Sequence, residues 1–442
     1  MLTDRRTLLV VLVALAVAAP AAALRALCIG RSCRATEPAA GPVPFCSLPD
    51  RVRDLLAAGF RDGRGPHLMA VAGPTPIQGA TGGGDPKAPW PSIDPGTGDR
   101  VPLVFAGAGV RRGAEVPSGT TLDSVAPTVA EAIGLRRPHP GVRSGRAVPN
   151  VSRRTYRPRL VVQVVWVGVG ATALRTDPTA WPTLRGLIED HPGTLDARVG
   201  SLPLDPAAVL TTIGTGALPR DHGITGTLVR DDEGRTVRAW GRRSPYSVVA
   251  GLGDDLDQLR DQRPRIGAVL SDVTERGVVG GTWYVDGDRD DLVVEPVPAR
   301  QADAAAGLLA AGYGRDEVPD LLAVVMRGSV RALDRALAEV LAAAEEAVGR
   351  RVLYVITATG QGAGGGGISG SDIEAQVERR IGEEVVEAAV PGGLFLDQDA
   401  LAAEGLSDDS VLGALRGLRG PSGEPAIVDA FPQVAVTFAR YC

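Results

Sequence analysis

The sequence is poor in the residues on which much protein chemistry depends. It holds 4 histidines, 4 cysteines and, against 46 arginines, a single lysine, Lys87. Aromatic residues make up 4% of the 442 positions, too few to furnish the stacking platforms on which single-stranded nucleic acid lies. A net charge of −5 has the wrong sign for a protein that tracks a phosphate backbone, so a nucleic-acid partner is not expected. The lysine shortage most simply reflects GC-rich coding. Hydrophobic residues at 44% and charged residues at 22% are ordinary for a folded chain, which excludes disorder over most of the length. Gly (57) and Pro (34) together supply about a fifth of the residues, so many loops separate the regular elements.

Residues 1–23 run from Arg5-Arg6 through an apolar stretch, Leu8–Ala19, to Pro20-Ala21-Ala22-Ala23, the order of a secretory signal with cleavage after Ala23. A retained membrane anchor is the alternative, since about 18 uncharged residues is the lower limit for a span. Either reading places the rest outside the cytoplasm, secreted or at the cell envelope. A linker, 24–45, follows. Cys28, with Arg25 and Leu27 before it, is not in a lipoprotein box. The four cysteines, Cys28, Cys33, Cys46 and Cys442, are an even number in an oxidising compartment; two disulfides in any of three connectivities are expected. Cys28 and Cys33 lack the further ligands of a zinc site.

Beyond the linker the pattern is α/β. Short apolar runs at Leu68–Ala72 and Val101–Ala106 read as buried strands, separated by a long loop, Gly73–Arg100. Asp123–Ile133 has helical spacing and ends at Gly134. Pro138–Pro158 is polar and rich in Arg and Pro, a linker by composition. Leu160–Val169 is the most hydrophobic strand candidate of the exported part, and Asp320–Met326 and Val352–Ala358 are others. Helices are expected at Thr183–Glu189, Ala207–Ile213, Ser329–Val348 and Asp372–Ile381. Residues 227–300 are less legible. Strands alternating with helices predict a three-layer α/β/α sandwich with a mostly parallel central sheet.

Several segments carry a family pattern. Thr215-Gly216-Ala217-Leu218-Pro219-Arg220-Asp221-His222-Gly223-Ile224, Val101–Val110 (VPLVFAGAGV) and Leu122–Ala130 (LDSVAPTVA) resemble, with the strands at 160 and 352, the alkaline phosphatase superfamily, in particular its phosphodiesterase/nucleotide pyrophosphatase branch. The order differs from the family's: the 101–110 and 122–130 segments normally close the domain, whereas here they precede the first strand. The resemblance therefore implies a circular permutation of 46–442, with 46–145 as the family's C-terminal part, 146–158 as a new linker, and 159–442 as its beginning and middle. On that reading the break lies between Tyr441-Cys442 and Cys46-Ser47, and a Cys46–Cys442 disulfide would restore the lost continuity, leaving Cys28–Cys33 as the second pair.

The resemblance also implies two divalent metals, usually zinc, about 4 Å apart, held by Asp and His at strand ends beside a Thr or Ser nucleophile at a helix N-terminus. The matching positions carry other residues. Val169 stands where the first carboxylate belongs, Thr359-Gly360-Gln361 where "DHG" belongs, Arg327-Gly328-Ser329 where a "D-x-x-x-H" pair belongs, and Thr81-Gly82-Gly83 where a late "HG" belongs. The nucleophile position falls at Leu204-Asp205-Pro206, with Ser201, Thr211 and Thr212 as the nearby hydroxyls. Asp205 reads either as a general base or, more simply, as an N-cap with Pro206 at the first helical position. His67, His139, His191 and His222 have no second ligand at metal-binding spacing. Val169, Asp205, Thr359 and Gly360 are thus expected to mark a vestigial site with no catalytic residue, no metal ligand and no cofactor.

Two loops are weaker signals. Gly360–Gly367 lies between a strand and a helix but lacks the Gly-Lys-Ser/Thr ending of a phosphate loop. Asp286–Asp291 opens like a calcium loop, then fails at Asp291, where Gly is needed, and at Val297, where Glu is needed. The function expected is that of a pseudoenzyme, a binding or scaffold protein at the cell envelope for an unknown protein or an anionic ligand held by arginines such as Arg327. A hydrolase of phosphate mono- or diesters with an unconventional site is the alternative.

Overall fold

The computed structural model describes residues 44–93, 98–153, 155–281, 283–284, 290–361 and 367–442. The signal-like segment, the linker up to residue 43, Cys28 and Cys33 lie outside the described residues, as do most of the glycine-rich loop and Asp286–Arg289. Pro44–Cys442 forms one unit.

Its largest sheet has seven strands. Leu160–Val167 (β4) is a run of β-branched and apolar residues bounded by Pro158 and by Gly168, whose φ is +74°. All eight of its residues are buried. Because successive side chains point to opposite faces, a strand buried at every position must be covered on both. The strands are Arg100–Gly107 (β3), Gly193–Arg198 (β5), Ile266–Leu270 (β8), Asp291–Val294 (β9), Asp320–Arg327 (β10) and Val352–Ala358 (β11), together with β4. Their order is β5-β3-β11-β4-β10-β8-β9. The five from β11 to β9 run parallel, while β3 is antiparallel to both of its neighbours. Thus β3, which precedes β4 in sequence, is inserted between β5 and β11.

Helices cover the sheet. Val330–Val348 (α7) buries Leu333, Ala336, Leu337, Val340 and Ala344, one stripe at helical spacing, and ends at Gly349. It packs against Pro298–Ala310 (α6) and Pro182–Asp190 (α3). A separate group consists of Asp50–Gly59 (α1), Val125–Ile133 (α2), Pro206–Thr215 (α4) and Leu252–Leu259 (α5). Within it α4 meets α2 and α5, and all ten α4 residues are buried, so this helix is enclosed on every face, its threonine hydroxyls bonded back to helix carbonyls. The three-layer α/β/α arrangement with a mostly parallel sheet follows.

The sequence pattern had no place for a second sheet. Val386–Val390 (β13), Gly393–Leu396 (β14), Leu68–Ala72 (β1) and Ile427–Pro432 (β15) form it in the order β13-β14-β1-β15, antiparallel throughout. Gly370–Ile381 (α8) and Asp408–Arg416 (α9) pack with it around their own apolar cluster. The segment 227–300 resolves into a hairpin, Leu228–Arg230 (β6) and Thr236–Arg238 (β7), plus α5, β8 and β9. Among its described residues, the loop 73–99 holds one strand, Ile77–Gln78 (β2), paired with Ile368–Ser369 (β12).

Candidate functional site

In parallel sheets, ligands bind in the crevice beyond the C-terminal strand ends. There the protein has a cleft of about 820 Å³ between the ends of β4, β8 and β10 on one side and the 78–89 loop on the other. Val167-Gly168, Ser271-Asp272 and Arg327-Gly328-Ser329 contribute from the strand ends, Asp85 and Lys87 from the loop, and Thr227 and Arg238 from the hairpin.

At its centre is Arg327, the last residue of β10. Its Nη1 donates to Asp85 Oδ2 at 2.6 Å and its Nε to Glu275 Oε1 at 2.9 Å. Both carboxylates are buried. Burial alone would lower the guanidinium's affinity for its proton, but the two carboxylates outweigh it and the pKa is raised. Burial pushes the Glu275 carboxyl up to about 7 against the pull of Arg327. Glu275 is further held by the N–H groups of Ser271 (2.7 Å) and Asp272 (3.1 Å), which donate to Oε2. This is the reciprocal half of a capping box in which Asp272 caps the turn Val273–Val278. Asp272 also receives both contacts of Arg238, at 2.7 Å each. Lys87, exposed at the rim, is the one lining cation whose side chain makes no ion pair with the described residues. Ser329 is the N-cap of α7, and its hydroxyl makes no cap bond.

Three of the four sequence-predicted positions come together beside this cleft. Thr359 Oγ1 accepts from Gly168 N–H at 3.0 Å, its own N–H donates to Trp166 O, and Gly360 N–H donates to Val169 O at 3.0 Å. Hydrogen bonds thus tie the ends of β4 and β11 together, with the Val169 side chain buried. The fourth, Asp205, caps α4: its Oδ1 accepts from Ala207 N–H (3.0 Å) and Thr227 Oγ1 (2.9 Å). Burial pushes its carboxyl up to about 6, opposed by those bonds and reinforced by the charge of Asp85.

The nearby hydroxyls are occupied or enclosed. Thr211 and Thr212 donate back to Ala207 O and Ala208 O within α4, and Ser201 is fully buried. His222 takes Ile224 N–H on Nδ1 and meets Thr212 Oγ1 on Nε2, a neutral ring whose burial lowers its pKa to about 3. His67 accepts from Leu396 N–H on Nδ1, and burial lowers it to about 4. Of the acidic turn, Asp290 pairs with Arg276 at 2.9 Å and Asp291 accepts from Tyr313 OH.

The donor set does not fit a pair of divalent ions. Among the described residues no three His, Cys, Asp or Glu side chains group around a common point. Asp85, Asp272 and Glu275 are spent on guanidinium groups, and a dication beside them would face Arg327. Arg327 stood out in the sequence, but as a holder of ligand; its guanidinium is instead committed to two buried carboxylates. Asp85, Lys87, Asp272 and Glu275 did not stand out. Only Asp272-Val273-Thr274-Glu275 left a local signal, that of a capping box.

Cys46 and Cys442 are joined by a disulfide with their Cα atoms 5.2 Å apart. It points to an oxidising environment outside the cytoplasm. Among the described residues no helix is long and apolar enough to cross a membrane.

No family model and no curated protein matches this sequence. In structure the chain is similar to the wild-type alkaline phosphatase PafA, at 15% identity and a TM-score of 0.42, over 59% of this chain and 76% of that one. It is also similar to phosphonoacetate hydrolase from Sinorhizobium meliloti 1021, at 14% identity and a TM-score of 0.35, over 63% and 81%. Likenesses this distant carry no argument about the site.

Proposed function

We propose that this chain is an exported binding protein built on a circularly permuted hydrolase fold, in which the strand-end cleft takes a small anionic ligand without metal-dependent hydrolysis. The observation that carries the reading is Arg327: a cation belonging to the protein sits between Asp85 and Glu275 in the crevice where a catalytic cation would be needed. Lys87 supplies the charge left over for a ligand, and Ser329 at the α7 N-terminus supplies a hydroxyl donor in a favourable dipole field. The permutation is supported by β3, which lies in the sheet interior although it precedes β4 in the chain. Export is supported by the disulfide and the signal-like start; a nucleic-acid partner fits neither the net charge nor the scarcity of aromatics.

The test is elemental mass spectrometry on the purified protein after incubation with zinc, manganese and calcium, beside assays on phosphate mono- and diesters. Less than about a tenth of an equivalent of transition metal, with no turnover, is the expected result. About two equivalents per chain with phosphodiester turnover would overturn the reading.

A further inference from the structure

A second cavity lies away from the strand ends. About 650 Å³ in volume, it opens between the C-terminal turn of α2 and the segment 135–157. Five arginines line it, Arg136, Arg137, Arg143, Arg146 and Arg157, with Glu131 as the one carboxylate. The sequence prepares this concentration. No Asp or Glu occurs from 132 through 176, and eight arginines fall between 136 and 159, in a protein whose net charge is negative.

The floor is built and buried. Arg137 Nε and Arg143 Nη2 converge on one oxygen of Asp255, at 2.6 and 2.9 Å, while Tyr284 OH donates to the other at 2.9 Å. Both guanidiniums also cap backbone carbonyls of Thr215 and Ala250. Arg137 and Arg143 are thus ion-paired beneath the cavity, with the buried Asp254 adding to the field of Asp255, and the positive charge open to a ligand is that of the rim. Burial lowers the Arg137 pKa to about 10, with Arg143 acting in the same direction and Asp255 and Asp254 against it.

The rim is open. Arg136 and Arg157 are exposed, and their side chains make no hydrogen bond or ion pair with the described residues. Arg146 Nη1 is tethered to the carbonyls of Arg143 and Gly145. Arg157 rests over Gly134, the α2 C-cap at φ +70°, where a Cβ would come within 2.7 Å of its Cζ. Only glycine leaves room for the guanidinium there. Pro127, Ala130 and Leu135 give the cavity an apolar wall.

We infer that this cavity is an anion site distinct from the strand-end cleft, taking a small organic molecule that carries a multiply charged phosphate-type group. The guanidiniums of Arg136 and Arg157 hold the anion from the rim, above the ion-paired floor of Arg137 and Arg143. Glu131 is the group that opposes binding and sets a minimum on the ligand's charge.

The experiment is calorimetric titration of the full chain with pyrophosphate at low ionic strength, where such interactions are least screened. Saturable one-to-one binding is expected in Lys87→Ala, in which the strand-end cleft has lost its unpaired cation and the event read belongs to this cavity. Adding Arg136→Ala and Arg157→Ala should weaken that binding at least about tenfold, at unchanged melting temperature, since each truncation deletes a charge-assisted hydrogen bond to the anion. Affinity retained within about twofold after the two arginine truncations, or no saturable binding up to about 10 mM in Lys87→Ala, would overturn the assignment.

Discussion

His222 shows how one buried side chain can carry part of a protein's pH response. Its Nδ1 already accepts Ile224 N–H, so a second proton would put two donors face to face in a fully buried site. With the folded pKa near 3, below the ordinary value of 6.5, the unfolded chain binds the proton more tightly between those limits. Its contribution to stability is therefore present above pH 6.5 and is lost as pH falls toward 3. Denaturant titrations at pH 7 and pH 5 should show a pH slope in His222→Gln that is shallower than wild type by up to about 1.4 kcal/mol per unit. Arg327 makes the complementary case. Arg327→Ala leaves the buried Asp85 and Glu275 uncompensated and should cost about 2–4 kcal/mol at neutral pH, with a smaller cost below pH 5, where Glu275 has taken up its proton. Equal costs at both pH values would show that packing, not charge, is what Arg327 supplies. The site's individual residues were hard to foresee for a simple reason: Asp85 lies 242 positions from Arg327 and Glu275 lies 52 away. Composition and local spacing say nothing about pairs so far apart, whereas Val169 and Thr359 could be placed together because each follows the end of a recognisable strand.

At the level of elements, local signals worked where the chain itself dictates structure. Asp205 and Pro206 start α4, Gly216 ends it, and Ser329 and Gly349 bracket α7, all within a turn of where caps and breakers place them. The second sheet escaped notice because its strands are four to six residues long and β1 must wait some three hundred residues for its partners β14 and β15. Short apolar runs of that kind do not declare which sheet they join. Close approach between elements is likewise invisible in sequence. In α4, Gly214 faces the carbonyls of Gly277 and Val278, and a Cβ there would overlap Gly277 O. Gly214→Ala, ordinarily a favourable change inside a helix, should here destabilise the fold by about 1–3 kcal/mol through overpacking. A rise in melting temperature in that variant would mean that α4 and the 273–278 turn have room between them for a methyl group.

Over the whole molecule, the parallel core and both covering layers were legible, since alternating strands and helices leave little choice of architecture. The order in which strands enter the sheet was not derivable from periodicity; only the displaced motifs at 101–110 and 122–130 hinted that an early strand would sit inside. The Cys46–Cys442 bond closes a loop across 396 positions. Removing it with Cys442→Ser should lower stability by about 2–4 kcal/mol, mainly by freeing the unfolded chain, and reduction of the wild type should reproduce the effect.

That same bond makes the folded unit a covalent ring. One proteolytic cut in an exposed stretch between Cys46 and Cys442 opens the ring without releasing a fragment, and only a second cut sets a piece free. A singly nicked protein would therefore migrate as one species until a thiol is added, then separate into two. The folded unit can bear one backbone break anywhere between Cys46 and Cys442 and keep all of its mass together.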